Sequence, residues 1–110
     1  MKIETVTFNA CNWSGTIHTV KYRTLNDGTI KFKFQDEDFS VSLTKDEEEG
    51  LYCFMMGKVH AKGWKYPLAN VVKWGSDKFW TASEMDQTYG ISREHDNPVV
   101  AICQVLSNIL

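Results

Sequence analysis

The sequence has little of what identifies an enzyme, a secreted scaffold or a membrane protein. Its glycines stand singly, so there is no phosphate-cradling loop or nucleotide-binding fingerprint. The three cysteines, Cys11, Cys53 and Cys103, are odd in number and contain no Cys-x-x-Cys pair, which favours free thiols in a reducing compartment. No apolar run approaches membrane-spanning length, and the N-terminus lacks a signal-peptide core. We expect a cytoplasmic protein without disulfides.

The sequence also lacks a large excess of positive or negative charge. The chain has 12 Lys and Arg against 14 Asp and Glu, a formal net charge of −2, which provides no global field to attract phosphate backbones or anionic membranes. The acidic runs 36–38 and 46–49 are interpreted as a solvated turn and the first turn of a helix. Binding to a polyanion therefore needs a local basic patch.

The composition that is present is that of a folded domain. Apolar residues make up 43% of the chain and charged residues 24%, and the 14 Trp, Tyr and Phe can build a core without metal or disulfide. A chain of 110 residues is too short for two such cores. We predict a single domain over residues 1–110.

Alternation of polar and apolar residues predicts a four-stranded meander in the first half. The clearest example is the run that turns Ile30, Phe32 and Phe34 to one side. A tight hairpin is expected at Asn26-Asp27-Gly28, because such residues accept positive φ angles. The runs that predict strands are 3–8, 16–23, 29–35 and 39–43.

From Thr44 onward the pattern becomes typical of a helix. Thr44 and Glu47 have the spacing of a capping box, acidic residues fill the first turn, and Gly57 suits a C-terminal cap. We therefore expect an internal helix. The apolar run 51–56 is also compatible with a buried strand, so helix and strand both stay open for residues 45–56.

The second half predicts further strands and a final helix. Residues 58–66 are interpreted as strand and loop, 70–74 and 79–82 as strands, and the polar residues 84–97 as a surface connection. Asn97 as N-cap and Pro98 at the first helical position begin the last helix. The residues expected to bury one helical face are Ile102, Val105, Leu106 and Ile109.

Together these elements predict an α+β fold. We expect a mainly antiparallel sheet of about five to six strands, with the C-terminal helix and one internal helix packed on it.

The sequence specifies no catalytic or metal site. Cys11 with His18, His60 or His95 offers a Cys-His pair, but three residues of each type always allow such a combination. Residues 94–96, Glu-His-Asp, lack the ligand spacing of metal sites and are interpreted as a solvated loop. We predict a non-enzymatic protein with no catalytic residue, no cofactor and no metal.

The sharpest local feature is residues 58–66, which we call the basic-aromatic stretch. It interleaves cations with aromatic rings, as single-stranded nucleic-acid binders do to track phosphates and stack bases. The candidate contacts are Lys58, Lys62, Trp64, Lys65 and Tyr66. The alternative, which we prefer from sequence, is a strand with Val59 and Ala61 inward, followed by aromatics folded onto the core. That alternative predicts a buried Trp64.

The end of the chain resembles the close of many small phage-encoded proteins. The matching residues are Phe79-Trp80-Thr81-Ala82 and, after a polar gap, Asn97-Pro98-Val99-Val100-Ala101-Ile102-Cys103 with an apolar end. In that family, called a phage α/β sandwich domain, a short strand precedes a helix that begins with proline and carries Ala-Ile-Cys. The resemblance implies a phage or mobile-element accessory protein and supplies no catalytic residue.

Two functional hypotheses follow. The first is a small binding protein that inhibits or modulates a host protein, because catalytic motifs are missing and aromatic residues are enriched at interface hot spots. Its partner would be another protein. The second is a small nucleic-acid-binding module that uses the basic-aromatic stretch. No membrane partner is expected, and a homodimer stays open.

Overall fold

One antiparallel sheet and one helix account for the residues that the computed structural model describes, which are 2–9, 17–46, 54–75, 78–85 and 90–109. The helix, α1, spans Pro98–Ile109. The strands are β1 (Lys2–Asn9), β2 (Ile17–Thr24), β3 (Thr29–Phe34), β4 (Glu37–Ser42), β5 (Thr44–Asp46), β6 (Phe54–Ala61), β7 (Ala69–Lys73), β8 (Trp80–Glu84) and β9 (Ser92–His95). Within these ranges no helix is long and apolar enough to cross a membrane.

Strands that follow one another in sequence are neighbours in the sheet. The order is β1-β2-β3-β4-β6-β7-β8-β9, with every pairing antiparallel, and β5 pairs with β6 alone. β5 continues the register of β4 along β6, because Val41 faces Val59 and Thr44 faces Met56. The predicted meander of the first four strands is confirmed.

The predicted hairpin between β2 and β3 is also confirmed. Leu25 N donates to Thr29 O at 2.8 Å, which leaves a three-residue loop, and Gly28 at its end has a φ of 91°. Glycine is the residue that adopts this angle without steric strain. Thr29 N also donates to Asp27 Oδ1 at 2.9 Å, so the acidic side chain satisfies a main-chain donor of the turn.

The sheet curls into a half-barrel around α1. The helix packs against β7, β8 and β9 at one end of the strand order and also against β1 at the other. Ile102, Val105 and Leu106 of the helix are fully buried, together with the inward residues Val59 and Val71 of the sheet. Each such side chain contributes about 1.5–3 kcal/mol when it is removed from water, so the inner face and the helix form the core.

The start of the helix agrees with its prediction. Asn97 Oδ1 accepts from Val99 N at 2.9 Å and from Val100 N at 3.3 Å, which satisfies two main-chain donors of the first turn. Asn97 Nδ2 also donates to the Tyr22 hydroxyl at 3.1 Å. The N-cap therefore ties the helix to β2.

The predicted internal helix is wrong. Thr44 pairs with Met56 and Lys45 with Met55 in an antiparallel ladder, a geometry that both ends of a single helix cannot adopt. The capping-box pattern does not produce a helix because the residues after 53 form a central strand of the sheet. There the hydrogen bonds of the ladder and the core contacts of the inner face outweigh the local preference for a helix. The rest of that expectation, residues 47–53, lies outside the described residues.

The predicted strand number is also wrong, because the described residues alone form nine strands rather than about five to six. The polar stretch that was interpreted as a surface connection contains β9, which pairs with β8 through Trp80–His95 and Ser83–Ser92. Its residues carry no apolar alternation because β9 is at the end of the strand order, where main-chain pairing with β8 and packing against α1 hold it in place.

Candidate nucleic-acid interface

The curled sheet turns one face to the core and the other to solvent, and we call the second the outer face. Side chains alternate between the two faces along each strand, and directly paired residues lie on the same face. The register therefore places one line of outer-face residues side by side across five strands. In order along that line they are Ile3, Arg23, Lys31, Ser40 and His60.

The centre of this line is a like-charge pair. Arg23 on β2 and Lys31 on β3 are directly opposite each other and both are exposed, an arrangement that destabilises a sheet. Lys21 and Lys33 stand two residues further along the same two strands. Among the described residues no carboxylate lies within 4.0 Å of any of these four cationic groups. Asp38 on β4 is directly opposite Lys33 and balances part of the charge, but the Arg23–Lys31 pair stays a like-charge contact, and such a local conflict is typical of a functional surface.

A groove of about 590 Å³ lies over this region, and we call it the basic groove. Asp38 is the one carboxylate among its described lining residues, and Ile3, which is 65% exposed, adds apolar surface. A cleft lined by one sign of charge concentrates ligands of the opposite sign. The cations that line the basic groove are Lys21, Arg23, Lys31, Lys33 and Lys62.

The basic-aromatic stretch borders the basic groove. β6 ends at Ala61, and Lys62 N then donates to Asp38 O at 2.8 Å, which holds the start of the turn against β4. Trp64 N donates to Ala61 O at 3.1 Å, and Gly63 between them has a φ of 84°. This is a tight turn in which glycine supplies the positive φ angle.

The aromatic rings of that stretch point to solvent. Trp64 is 65% exposed and Tyr66 is 70% exposed, and Lys65 Nζ lies 5.7 Å from the centroid of the Tyr66 ring. The expectation that Trp64 is buried is therefore wrong. Tight chain reversal at Gly63 carries the residues that follow away from the core, so large rings stay exposed where burial was expected.

The start and the middle of the stretch line different grooves. Lys62 lines the basic groove, whereas Lys58 and His60 line a second groove of about 320 Å³ on the same outer face. The second groove also contains the hydroxyls of Ser42 and Thr44. Val59 and Ala61 are inward and buried as predicted. The five predicted contact residues are thus all on solvent-facing surface, spread over two adjoining grooves and a turn.

Sequence reasoning missed most of the basic groove. Four of its cations come from the two strands of one hairpin, and the register of β2 on β3 decides which of them lie side by side. A signal was available, because alternation had already turned Lys31 and Lys33 away from the buried Phe32. The missing step was the register that places Arg23 opposite Lys31.

The candidate catalytic residues are not assembled in the described part of the chain. Cys103 is fully buried in α1, and burial raises the pKa of its thiol far above the usual value, so it is not a ready nucleophile. Cys11 and Cys53 lie outside the described residues. His95 Nδ1 lies 2.7 Å from Asp96 Oδ1, but no group of three metal-ligating residues occurs within the described ranges.

A second exposed aromatic pair lies at the opposite end of the strands, in the connection from β7 to β8. Trp74 is 46% exposed and Phe79 is 49% exposed. Nearby, Lys73 Nζ lies 5.8 Å from the Trp80 ring centroid.

Comparison with protein-family models, with curated proteins and with solved structures found no match for this chain.

Proposed function

We propose that this protein is a non-enzymatic module that binds single-stranded nucleic acid on the outer face of its sheet. The observation that carries the proposal is the basic groove, in which five cations face one carboxylate. Their mutual repulsion destabilises the free protein, and a phosphate backbone would relieve it. A chain with a net charge of −2 that gathers cations on one face has the local patch that polyanion binding requires.

The adjoining turn supports a single-stranded ligand. Exposed Trp64 and Tyr66 offer flat rings beside Lys62, which lines the basic groove. Bases stack on such rings only when they are unpaired, and each stacked base contributes about 1–3 kcal/mol. The groove would hold the phosphates while the turn receives bases.

The test is a fluorescence titration of Trp emission with mixed-sequence single-stranded oligonucleotides at low and moderate salt. We expect saturable binding that weakens with salt and is lost in the double variant Lys62→Glu/Lys65→Glu. Lys78→Glu is the matched control, because Lys78 is exposed in the connection at the opposite end of the strands. Equal binding by the double variant and the control would refute the proposal.

A protein partner is the second candidate function, and exposed Trp74 and Phe79 are the observation that favours it. Large aromatic rings dominate the energetics of protein interfaces. A second copy of this chain is the partner that is tested most simply. Sedimentation over a range of protein concentrations should then show a dimer that Phe79→Ser abolishes, and a monomer at every concentration would exclude self-association through this surface.

A further inference from the structure

The strands β2 and β3 pair over only part of their length. Their ladder consists of the three pairs from Tyr22–Phe32 to Thr24–Ile30. Beyond it, the five residues 17–21 of β2 pair only with β1, and Lys33 and Phe34 pair only with β4. The two strands therefore separate after Tyr22 and Phe32, and we call this opening the fork.

The fork is closed on its inner side by aromatic rings. The rings of His18 and Phe34, one from each strand, meet edge to face with centroids 5.2 Å apart. Phe8 of β1 stacks on the other side of His18, with the two ring centroids 5.5 Å apart. A ligand that approaches from solvent would thus meet a shallow recess with a closed floor. Because alternate residues of a strand direct their main-chain groups to each neighbour, part of the main chain of 17–21 and 33–34 faces this recess.

Four cations surround the mouth of the fork. Arg23 and Lys31 stand at its closed end, and Lys21 and Lys33 stand one on each arm, two residues further along. Two residues along a strand span about 6.6 Å, and directly opposite Cβ atoms are about 5 Å apart. Four positive side chains therefore surround an area comparable to one or two phosphate groups, and the carboxylate of Asp38 lies at its rim, opposite Lys33 on β4.

The chemistry of these groups fits phosphate better than a single carboxylate. A guanidinium presents a planar fork of donors to phosphate oxygens, and ammonium groups add compact charge from several sides. Main-chain N–H groups at an exposed sheet edge add further donors for an anion. Two consecutive backbone phosphates, each with two non-bridging oxygens, can use donors from both arms, whereas one carboxylate cannot span them.

We propose that the fork is the phosphate-anchoring subsite of the nucleic-acid interface, where Lys21, Arg23, Lys31 and Lys33 hold one or two consecutive backbone phosphates. This inference rests on the proposed function. From the fork the bound nucleic acid would continue across the basic groove, past Lys62, to the exposed rings of the turn. A nucleic-acid backbone and a free polyphosphate both present consecutive phosphates to these side chains. The experiment therefore compares one probe of each kind.

The experiment is an NMR titration of the ¹⁵N-labelled protein, first with inorganic pyrophosphate and then with a 15-nucleotide oligo(dT). We expect saturable shifts of amides in 17–21 and 33–34 with both probes. The double variant Lys21→Gln/Lys33→Gln should bind the oligonucleotide about tenfold or more weakly, and its salt dependence should fall by about 1.4 in log–log slope, because two phosphate contacts are lost. Lys78→Gln is the control, and the melting temperature of each variant reports its folding.

The outcomes separate the two proposals. Oligonucleotide binding that depends on Lys62 and Lys65 but not on Lys21 and Lys33 would overturn the fork and leave the proposed function intact. Shifts with pyrophosphate but no binding of the oligonucleotide would support the fork as a polyphosphate site and overturn the nucleic-acid function. Pyrophosphate shifts that are equally large around Lys78 would show nonspecific ion association and overturn the fork.

Discussion

Arg23 and Lys31 face each other directly across β2 and β3 on the exposed side of the sheet. Cross-strand pairs contribute about 0.2–1 kcal/mol when their charges are opposite, and like charges have the reverse effect. The protein therefore carries a small destabilisation at the centre of its basic groove. Stability and ligand binding should respond in opposite directions when this pair is changed.

The first prediction concerns Lys31→Glu. The new carboxylate would face Arg23, so the free energy of unfolding should rise by up to about 1 kcal/mol, while affinity for the oligonucleotide falls. Urea denaturation and the fluorescence titration measure the two quantities. Lys31→Gln should remove the repulsion without adding attraction and give intermediate values. A loss of stability in Lys31→Glu would contradict the account of this pair.

The second prediction concerns the turn between β3 and β4. Gln35 and Asp36 have φ angles of 50° and 64° in a two-residue hairpin loop between paired Phe34 and Glu37, where glycine is preferred. Asp36→Gly should stabilise the protein by up to about 1 kcal/mol, because it relieves the left-handed conformation. Gly28→Ala is the reciprocal control and should lower the melting temperature. A less stable Asp36→Gly would argue against strain at this turn.

The third prediction concerns the helix cap. Asn97→Ala should lower the free energy of unfolding by about 1–2 kcal/mol, because two main-chain donors of α1 and the Tyr22 hydroxyl lose a partner. Asn97→Ser keeps a capping oxygen and should recover much of this loss. Thermal unfolding followed by circular dichroism distinguishes the variants, and equal stability of all three would contradict the assignment of the cap.

The fourth prediction concerns pH. Glu4 accepts hydrogen bonds from Lys2 and from the Tyr22 hydroxyl, and these two bonds, with Lys2 the larger influence, lower the pKa of its carboxyl below the usual 4.5. A lowered folded-state pKa contributes stability above the unfolded-state pKa that is lost as pH falls through the folded-state value. Glu4→Gln should therefore flatten the acid limb of the stability profile below about pH 4.5. An unchanged limb would show that other carboxylates dominate it.

Local patterns were sufficient for the parts of the fold that depend on neighbours in sequence. The alternation through Ile30, Phe32 and Phe34 predicted an amphipathic strand, and Asn97 followed by Pro98 predicted the start of the helix. Both are confirmed. These patterns are reliable because both depend on the segment alone: the alternation of buried and exposed residues along a strand, and the capping of the free main-chain N–H groups at the start of a helix.

The errors occur where long-range pairing decides the structure. Thr44 is a suitable N-cap residue for a helix but pairs with Met56 in the sheet. Nothing in the sequence near Thr44 indicates that the strand pairing is favoured over the helix. The basic groove was missed for a different reason: the hairpin of β2 and β3 was predicted, but the alternation within each strand does not give the register that places Arg23 opposite Lys31. Trp64 was expected inside because large rings are usually buried, but its position just after the turn at Gly63 leaves it exposed.

The most direct test of nucleic-acid binding is the salt dependence of oligonucleotide affinity. If all five cations of the basic groove contact phosphates, the logarithm of the association constant should fall with the logarithm of salt concentration at a slope of about −3.5. Lys31→Glu should reduce the magnitude of that slope, and Lys78→Glu should not. Absence of saturable binding at low salt, or a slope near zero that Lys31→Glu leaves unchanged, would contradict the proposed function.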